Sequence, residues 1–496
     1  MRKNIIISML AAVSLSTAQA QGPAKYDPSV QPGEMQYFTP AGGNQFVGDC
    51  IPFFHDGTFY LYWLLDEGHH GSLNGLGGHQ WCVSTTHDLK TWTHHPIAIG
   101  IDEDWEKSVC TGSVVSDGDK FYAFYATRLL TDGNNVAEQL SYAVSSDALS
   151  FTKQKPNPFY TSAPGYSTRN FRDPKATIDS EGTFHLFVSS EKNVAPINEG
   201  KGCLVHMTST DLKTWQVGEP VLSGTIHVPE CPDYFEWNGW HYLVYGQAGD
   251  TYYLKSRSPY GPWEYPESQA LLEQWVNVAK TAAFTDGRRI VAGWVPSRNG
   301  NTDSGGELFG GCVVLREALQ LDNGDLATRL PEEVMPETDS PLSLSLTPTD
   351  GATVSSPGSI SVDARGDICG AHATGVPYNC VVTLDVIPEG NYEEFGMFLR
   401  SEDKGINSYK LSFNSDNHTV RLHDSSISAV TGLDKPMKLT IVMKGDIIDV
   451  CVDNRRCIVN RLPEKKGSQL WFFARNGKLR FENIKVCPIT GDASKR

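Results

Sequence analysis

No stretch of this 496-residue chain gathers lysines and arginines into a basic patch, and its formal charge is −16. Binding to nucleic acid draws on counterion release by basic side chains, so nucleic acid is excluded as a partner on this reading. An acidic surface suits solubility and a neutral ligand. No apolar run reaches the roughly 20 residues that a membrane-spanning helix needs. The nearest candidate, residues 5–13, follows Arg2 and Lys3 and precedes Ala18-Gln19-Ala20. That order is the pattern of a cleaved secretory signal. We expect residues 1–20 to be removed, leaving a mature chain from near Gln21 in the periplasm or outside the cell. No cysteine follows the cleavage site, so a lipid anchor is not expected there.

Paired CxxC motifs are also missing, which removes the commonest cysteine metal pattern. The 11 cysteines are scattered and odd in number. Cys451 and Cys457 flank an Asp453-Asn454 turn and are placed to face each other across a hairpin. Cys50, Cys110 and Cys231 read as small buried side chains.

What the chain has is repetition. Five segments each run from an apolar stretch through a glycine turn into an aromatic strand. They are IPFFHDGTFYLYWL (51–64), SVVSDGDKFYAFYAT (113–127), ATIDSEGTFHLFVSS (176–190), DYFEWNGWHYLVYG (233–246) and AAFTDGRRIVAGWV (282–295). Gly57, Gly118, Gly182, Gly239 and Gly287 supply the positive φ that tight hairpin turns require. A second motif, with Ser/Thr-Asp before a turn and an aromatic after it, recurs at 83–93, 143–153 and 207–216 and more loosely at 256–265. Hairpin plus turn gives four strands per unit. Five such units predict an all-β fold, a five-bladed β-propeller, over 21–336. Residues 337–357 are rich in Pro, Ser, Thr and Asp and read as a linker or loose edge. Alternating stretches beyond them predict a β-sandwich over 337–496.

The first strand of a propeller blade lines the central channel, so residues just before each hairpin should meet at its mouth. They are Gly48-Asp49-Cys50, Cys110-Thr111-Gly112-Ser113, Phe171-Arg172-Asp173-Pro174, Pro229-Glu230-Cys231-Pro232-Asp233 and Lys280-Thr281. Three blades thus offer a carboxylate at what the sequence suggests is a matching place. Buried together, carboxylates separate in pKa, which allows one to work as an acid and another as base or nucleophile. Arg172 and Asp173 should point to opposite faces if the strand is regular. Arg172 serves either a substrate hydroxyl or an ion pair within the blade.

FRDPKA (171–176) resembles the Arg-Asp-Pro motif of glycoside hydrolase family 32, and PECPDYF (229–235) its Glu-Cys motif. WCVSTTHDLKTWTHHPIAI (81–99), CTGSVV (110–115), GWVPSRN (293–299) and 316–334 follow in the family's order. The resemblance implies a retaining glycosidase acting on β-fructosides such as fructan, fructo-oligosaccharide or sucrose, needing no metal or cofactor. It implies Asp49 as nucleophile, Glu230 as general acid/base and Asp173 as transition-state stabiliser. Arg172, Thr111, Trp63 and Cys231 are implied substrate-side residues, with Cys231 setting the environment of Glu230. Two departures stand out. Only Asp49 survives of the family's Asn-Asp-Pro-Asn-Gly, with Gly48 in place of the Asn. The glutamine expected after the first hairpin is absent, and Trp63 or its neighbours occupy that stretch. These departures leave two further readings: an inverting propeller glycosidase for arabinose- or xylose-containing glycans, and a glycan-binding protein that has lost catalysis. EGHHGSLNGLGGHQW (67–81) reads as a substrate loop, although His69, His70 and His79 are also metal-ligand types.

Overall fold

The computed structural model describes residues 22–491 apart from 269, 273, 274, 403 and 404. The signal segment 1–20 lies outside the described residues. Among the described residues the strands from 45 to 329 form five antiparallel blades, at 45–99, 108–153, 166–225, 230–272 and 277–329. A sandwich follows, with strands from 346 to 488.

Local chemistry accounts for the blades. Asp56 and Gly57 (φ 46° and 73°) turn between the paired residues His55 and Thr58, and Asn238 and Gly239 (φ 49° and 74°) do so between Trp237 and Trp240. Both central residues of each turn have positive φ, the geometry that matches strand twist. The recurrent Ser/Thr-Asp motif is a side-chain-closed turn. Asp88 Oδ1 accepts from the N–H groups of Lys90 and Thr91 at 2.9 and 2.7 Å, while Thr86 Oγ1 accepts from Leu89. Asp147 and Asp211 repeat the arrangement. Asp and Ser/Thr side chains supply such bonds without help from a neighbouring strand.

The stretch 337–357, expected as a linker or loose edge, carries the short strands Leu346–Pro348 and Ala352–Ser356. Both pair with Ser359–Ala373 at the sandwich edge. Cys451 stands directly opposite Cys457 in the strand register. The sandwich meets the propeller through a buried pair, Arg316 to Asp449 at 2.9 Å, with the Tyr37 hydroxyl donating to the same carboxylate at 2.7 Å. Removing one partner of such a pair would strand a buried charge, so this contact fixes how the two units seat.

Candidate active site

All five inner strands contain one extra residue at the same height. Between flanking pairs, the inner strand has two residues where its neighbour has one: Gly48-Asp49, Cys110-Thr111, Asp173-Pro174, Cys231-Pro232 and Val278-Ala279. Such bulges re-aim side chains next to functional sites. Asp173, Cys231 and Val278 have φ of 54°, 49° and 40°, a conformation that non-glycine residues adopt at a cost and mostly at such sites.

The bulge corrects two expectations. The three carboxylates do not share one register: Asp49 is the second bulge residue of its blade, Asp173 the first of its own, and Glu230 the paired residue just before the bulge. Nor do Arg172 and Asp173 point apart. The kink at Asp173 leaves Arg172 Nε 3.5 Å from Asp173 Oδ2.

Asp49, Asp173 and Glu230 line one cavity of about 740 Å³, together with Thr111, Arg172 and Cys231. Asp49 and Asp173 are buried, whereas the Glu230 side chain is 47% exposed. Trp294 Nε1 donates to Asp49 Oδ1 at 3.1 Å. Burial pushes the Asp49 carboxyl up to about 7; Asp173 adds to the rise, while Lys280 and the Trp294 bond oppose it. Burial likewise takes Asp173 up to about 6, against the pull of Arg172.

Arg172 links the site. Its Nη2 donates to Glu230 Oε1 at 3.0 Å, its Nη1 to Asn170 Oδ1 at 2.6 Å, and its Nε lies 3.4 Å from Glu138 Oε2. Of the two readings left open for Arg172, the structure shows the ion pair, which extends beyond its own blade to Glu138 and Glu230, on a side chain that also lines the cavity. Glu138 is a fourth cavity carboxylate. Burial alone would raise it, but Arg172 and Arg128 together hold it below the ordinary range. Cys231, expected to help set the environment of Glu230, makes its polar contacts with the other two carboxylates. Its N–H donates to Asp173, and its thiol faces Asp49 Oδ2 at 3.6 Å and Asp173 Oδ2 at 3.8 Å.

Trp63 is not a cavity residue. It is fully buried, its indole donates to Ser84 Oγ at 3.2 Å, and Tyr26 and Phe38 pack edge-on against it. Strand alternation turns Trp63 into the blade interior and leaves its neighbour Leu64 on the cavity side. Gly48 has a steric cause. A Cβ there would lie 2.9 Å from the Phe309 ring and 3.2 Å from Leu64 Cβ. Phe309 fills that space, stacks on His79 at 4.8 Å and packs on Trp294 at 5.1 Å.

The Gly/His segment does reach the cavity, through Gly75, Leu76, His70 and His79. Asp66, His70 and His79 hold potential ligand atoms within 4.8 Å of one another. Arg128 Nη1 contacts His70 Nε2, however, setting a fixed positive charge among them. Asp66 Oδ1 is already taken by His79 Nε2 at 3.0 Å and His70 N–H at 2.8 Å. Burial, with His79 and Arg128, brings His70 down to about 4. With the Arg128 cation among its members, the cluster fits a hydrogen-bonded wall better than a cation site. His69 instead stacks on Phe46 at 3.9 Å.

Sequence reasoning missed Glu138, Arg128, Trp294 and Phe309 as cavity residues. Trp294 lies inside a quoted motif, but Glu138 sits on a third strand, where no turn or spacing marks it.

Comparison with known proteins adds the following. The glycosyl hydrolases family 32 N-terminal domain matches residues 51–329. That match begins two residues past Asp49 and includes Asp173 and Glu230. A sucrose-6-phosphate hydrolase of Escherichia coli is 27% identical over 297 residues, covering 54% of this chain and 60% of the relative. One from Bacillus subtilis (strain 168) is 28% identical over 183 residues, covering 35% and 36%. The chain thus spans less than two thirds of the length of these curated relatives. Fructan 1-exohydrolase IIa from Cichorium intybus superposes with a TM-score of 0.69 at 15% identity, covering 94% of this chain and 98% of that one. At that identity the likeness shows the fold, a five-bladed propeller followed by a sandwich.

Proposed function

Since the chain belongs to glycosyl hydrolase family 32, we propose that it is an exported glycosidase that cleaves β-fructosides with retention of configuration. The observation that carries this reading is the convergence of Asp49, Asp173 and Glu230, from three blades, in one cavity with unequal surroundings. Export rests on the signal pattern in residues 1–20. Sucrose and short or polymeric fructans are the substrates to which the family and its relatives point.

Each carboxylate suits one role. Glu230 sits half-exposed at the open side, where a leaving group departs, and Arg172 fixes its direction. It gives a proton to the glycosidic oxygen while Asp49 attacks the anomeric carbon. The C–O bond breaks and a glycosyl ester forms on Asp49. Glu230, now ionised, takes a proton from water, which displaces Asp49 and releases the sugar. Asp173 stays put throughout. Held by the Cys231 N–H and Arg172, it accepts hydrogen bonds from sugar hydroxyls that strengthen as positive charge develops.

The test is a hydrolysis screen of the purified protein on sucrose, inulin, levan, arabinan and xylo-oligosaccharides. NMR of the first-formed anomer accompanies it. Fructose released with retention, and lost in Asp49→Ala, is the expected result. Initial inversion on pentose polymers, or glycan binding without turnover, would replace this reading.

A further inference from the structure

Four lysines of the propeller are nearly buried, and three of them meet a carboxylate. Lys153 reaches Glu106 at 2.6 Å, Lys175 reaches Asp233 at 2.6 Å and Lys255 reaches Asp325 at 2.8 Å. Lys280 differs. It is 2% exposed, and its ammonium donates to neutral oxygens, Gly112 O at 2.7 Å and Thr111 Oγ1 at 3.3 Å. Among the described residues no carboxylate lies within 4 Å of it. A buried ammonium without an ion pair costs several kcal/mol, so its location needs a reason.

Lys280 follows the bulge of an inner strand that carries no carboxylate, where three others carry one at or beside the bulge; the fifth blade's own cavity carboxylate, Glu307, comes from its third strand. Its anchor, Thr111, is a bulge residue that lines the cavity. The groups that share its field are Asp49 and Cys50 on the first inner strand, Asp173 on the third, and Cys231 on the fourth. Seen from Asp49, negative or potentially negative neighbours are Asp173, Glu230, Cys231 and Cys50. The other nearby cation, Arg172, is engaged by Glu138, Asp173 and Glu230.

We propose that Lys280 is a positioning residue whose charge, held off from direct pairing by Thr111 and Gly112, keeps Asp49 ionised. A direct pair would occupy an oxygen that the nucleophile needs. A charge near the carboxylate but not bonded to it stabilises the ionised form and leaves its oxygens free. Only the turnover arm of the test rests on the proposed glycosidase reading.

Trp294 allows the test without turnover, because its indole N–H donates to Asp49. The full chain is labelled with 15N-tryptophan, and the Trp294 resonance is assigned with Trp294→Phe. Its shift is then followed against pH in wild type, Lys280→Met and Thr111→Val. Loss of a nearby opposite charge should raise the midpoint in Lys280→Met by about one pH unit or more, whereas Thr111→Val, which frees the ammonium to approach Asp49, should lower it. The acid limb of kcat/KM in Lys280→Met should move upward by the same amount. A midpoint in Lys280→Met that is unmoved or falls overturns the proposal even if activity is lost, and Lys280 is then structural. A raised midpoint in a protein that hydrolyses no glycoside upholds the role of Lys280 and sinks the glycosidase reading instead. Lys280→Met removes an unpaired buried charge, so melting should not fall. Should it fail to fold, the Thr111→Val midpoint decides, and its failure to fall overturns the proposal.

Discussion

The backbone N–H of Cys231 donates to Oδ2 of Asp173 across 3.1 Å, joining the bulges of two neighbouring blades. The bond uses no side-chain atom of Cys231, so a change of side chain leaves it intact as long as the backbone keeps its φ of 49°. Cys231→Ala should therefore fold normally and lose only about two- to tenfold in kcat/KM, the weight of a weak thiol donor. Cys231→Val also lacks the thiol, but a β-branched side chain is more strained at positive φ than alanine. Val should lower the melting temperature and cost more activity than Ala. Equal melting temperatures for the two variants would show that the backbone here is not held in that conformation.

Asp49 is expected to oppose folding at neutral pH. Its carboxyl is raised from 3.8 to about 7 in the folded chain, mainly by burial. The folded state therefore holds this proton more tightly than the unfolded state. Stability from this group is fully present below the unfolded value and is lost as pH rises from about 3.8 to about 7, then levels off. Asp49→Asn should melt higher than wild type, with a larger gain at pH 8 than at pH 5, on the order of a few kcal/mol at most. Turnover should fall by about 10⁴-fold. Thermal unfolding of both proteins at the two pH values checks the sign; a larger gain at pH 5 would contradict a raised pKa.

Arg172 divides its guanidinium among Asn170, Glu138, Asp173 and Glu230. A planar fork can do this, and a lysine ammonium cannot reproduce it. Arg172→Lys should keep the fold but lose about a hundredfold in kcat/KM, roughly 3 kcal/mol of transition-state stabilisation. Arg172→Gln should lose more, because Glu138 and Glu230 are left less compensated. Near-wild-type kinetics for the lysine variant would mean that charge alone suffices.

The blades were legible because their signals are local. A two-residue Asp-Gly or Asn-Gly turn and a Ser/Thr-Asp turn fix strand ends without distant partners, and they recur in order. Asp49, Asp173 and Glu230 were legible as a group because the front of every blade reaches the same channel. What stayed hidden is tertiary. A single extra residue per inner strand breaks the two-residue alternation, so the direction of Asp173 and of the Cys231 thiol could not be counted from sequence. Trp63 was misplaced for a related reason: one step along the strand separates the blade interior from the cavity. Glu138 and Phe309 enter from strands with no turn signal, and only packing brings them to the cavity.

Phe309 also bears on why the stretch around Asp49 departs from the family's Asn-Asp-Pro-Asn-Gly. A Cβ at position 48 would stand 2.9 Å from its ring, and the ring is held between His79 and Trp294. The missing asparagine is then a steric consequence of this aromatic wall. Gly48→Asn alone should be destabilising by about 1–3 kcal/mol, the range for overpacking a filled site, with activity reduced. Phe309→Ala alone should open a gap and weaken Trp294, and so Asp49. The double variant Gly48→Asn/Phe309→Ala should recover stability relative to the sum of the singles by about 1 kcal/mol or more, since contacting residues couple. A double-mutant cycle on melting and on kcat/KM measures that coupling. Simple additivity would separate the two positions and leave the glycine without a steric cause.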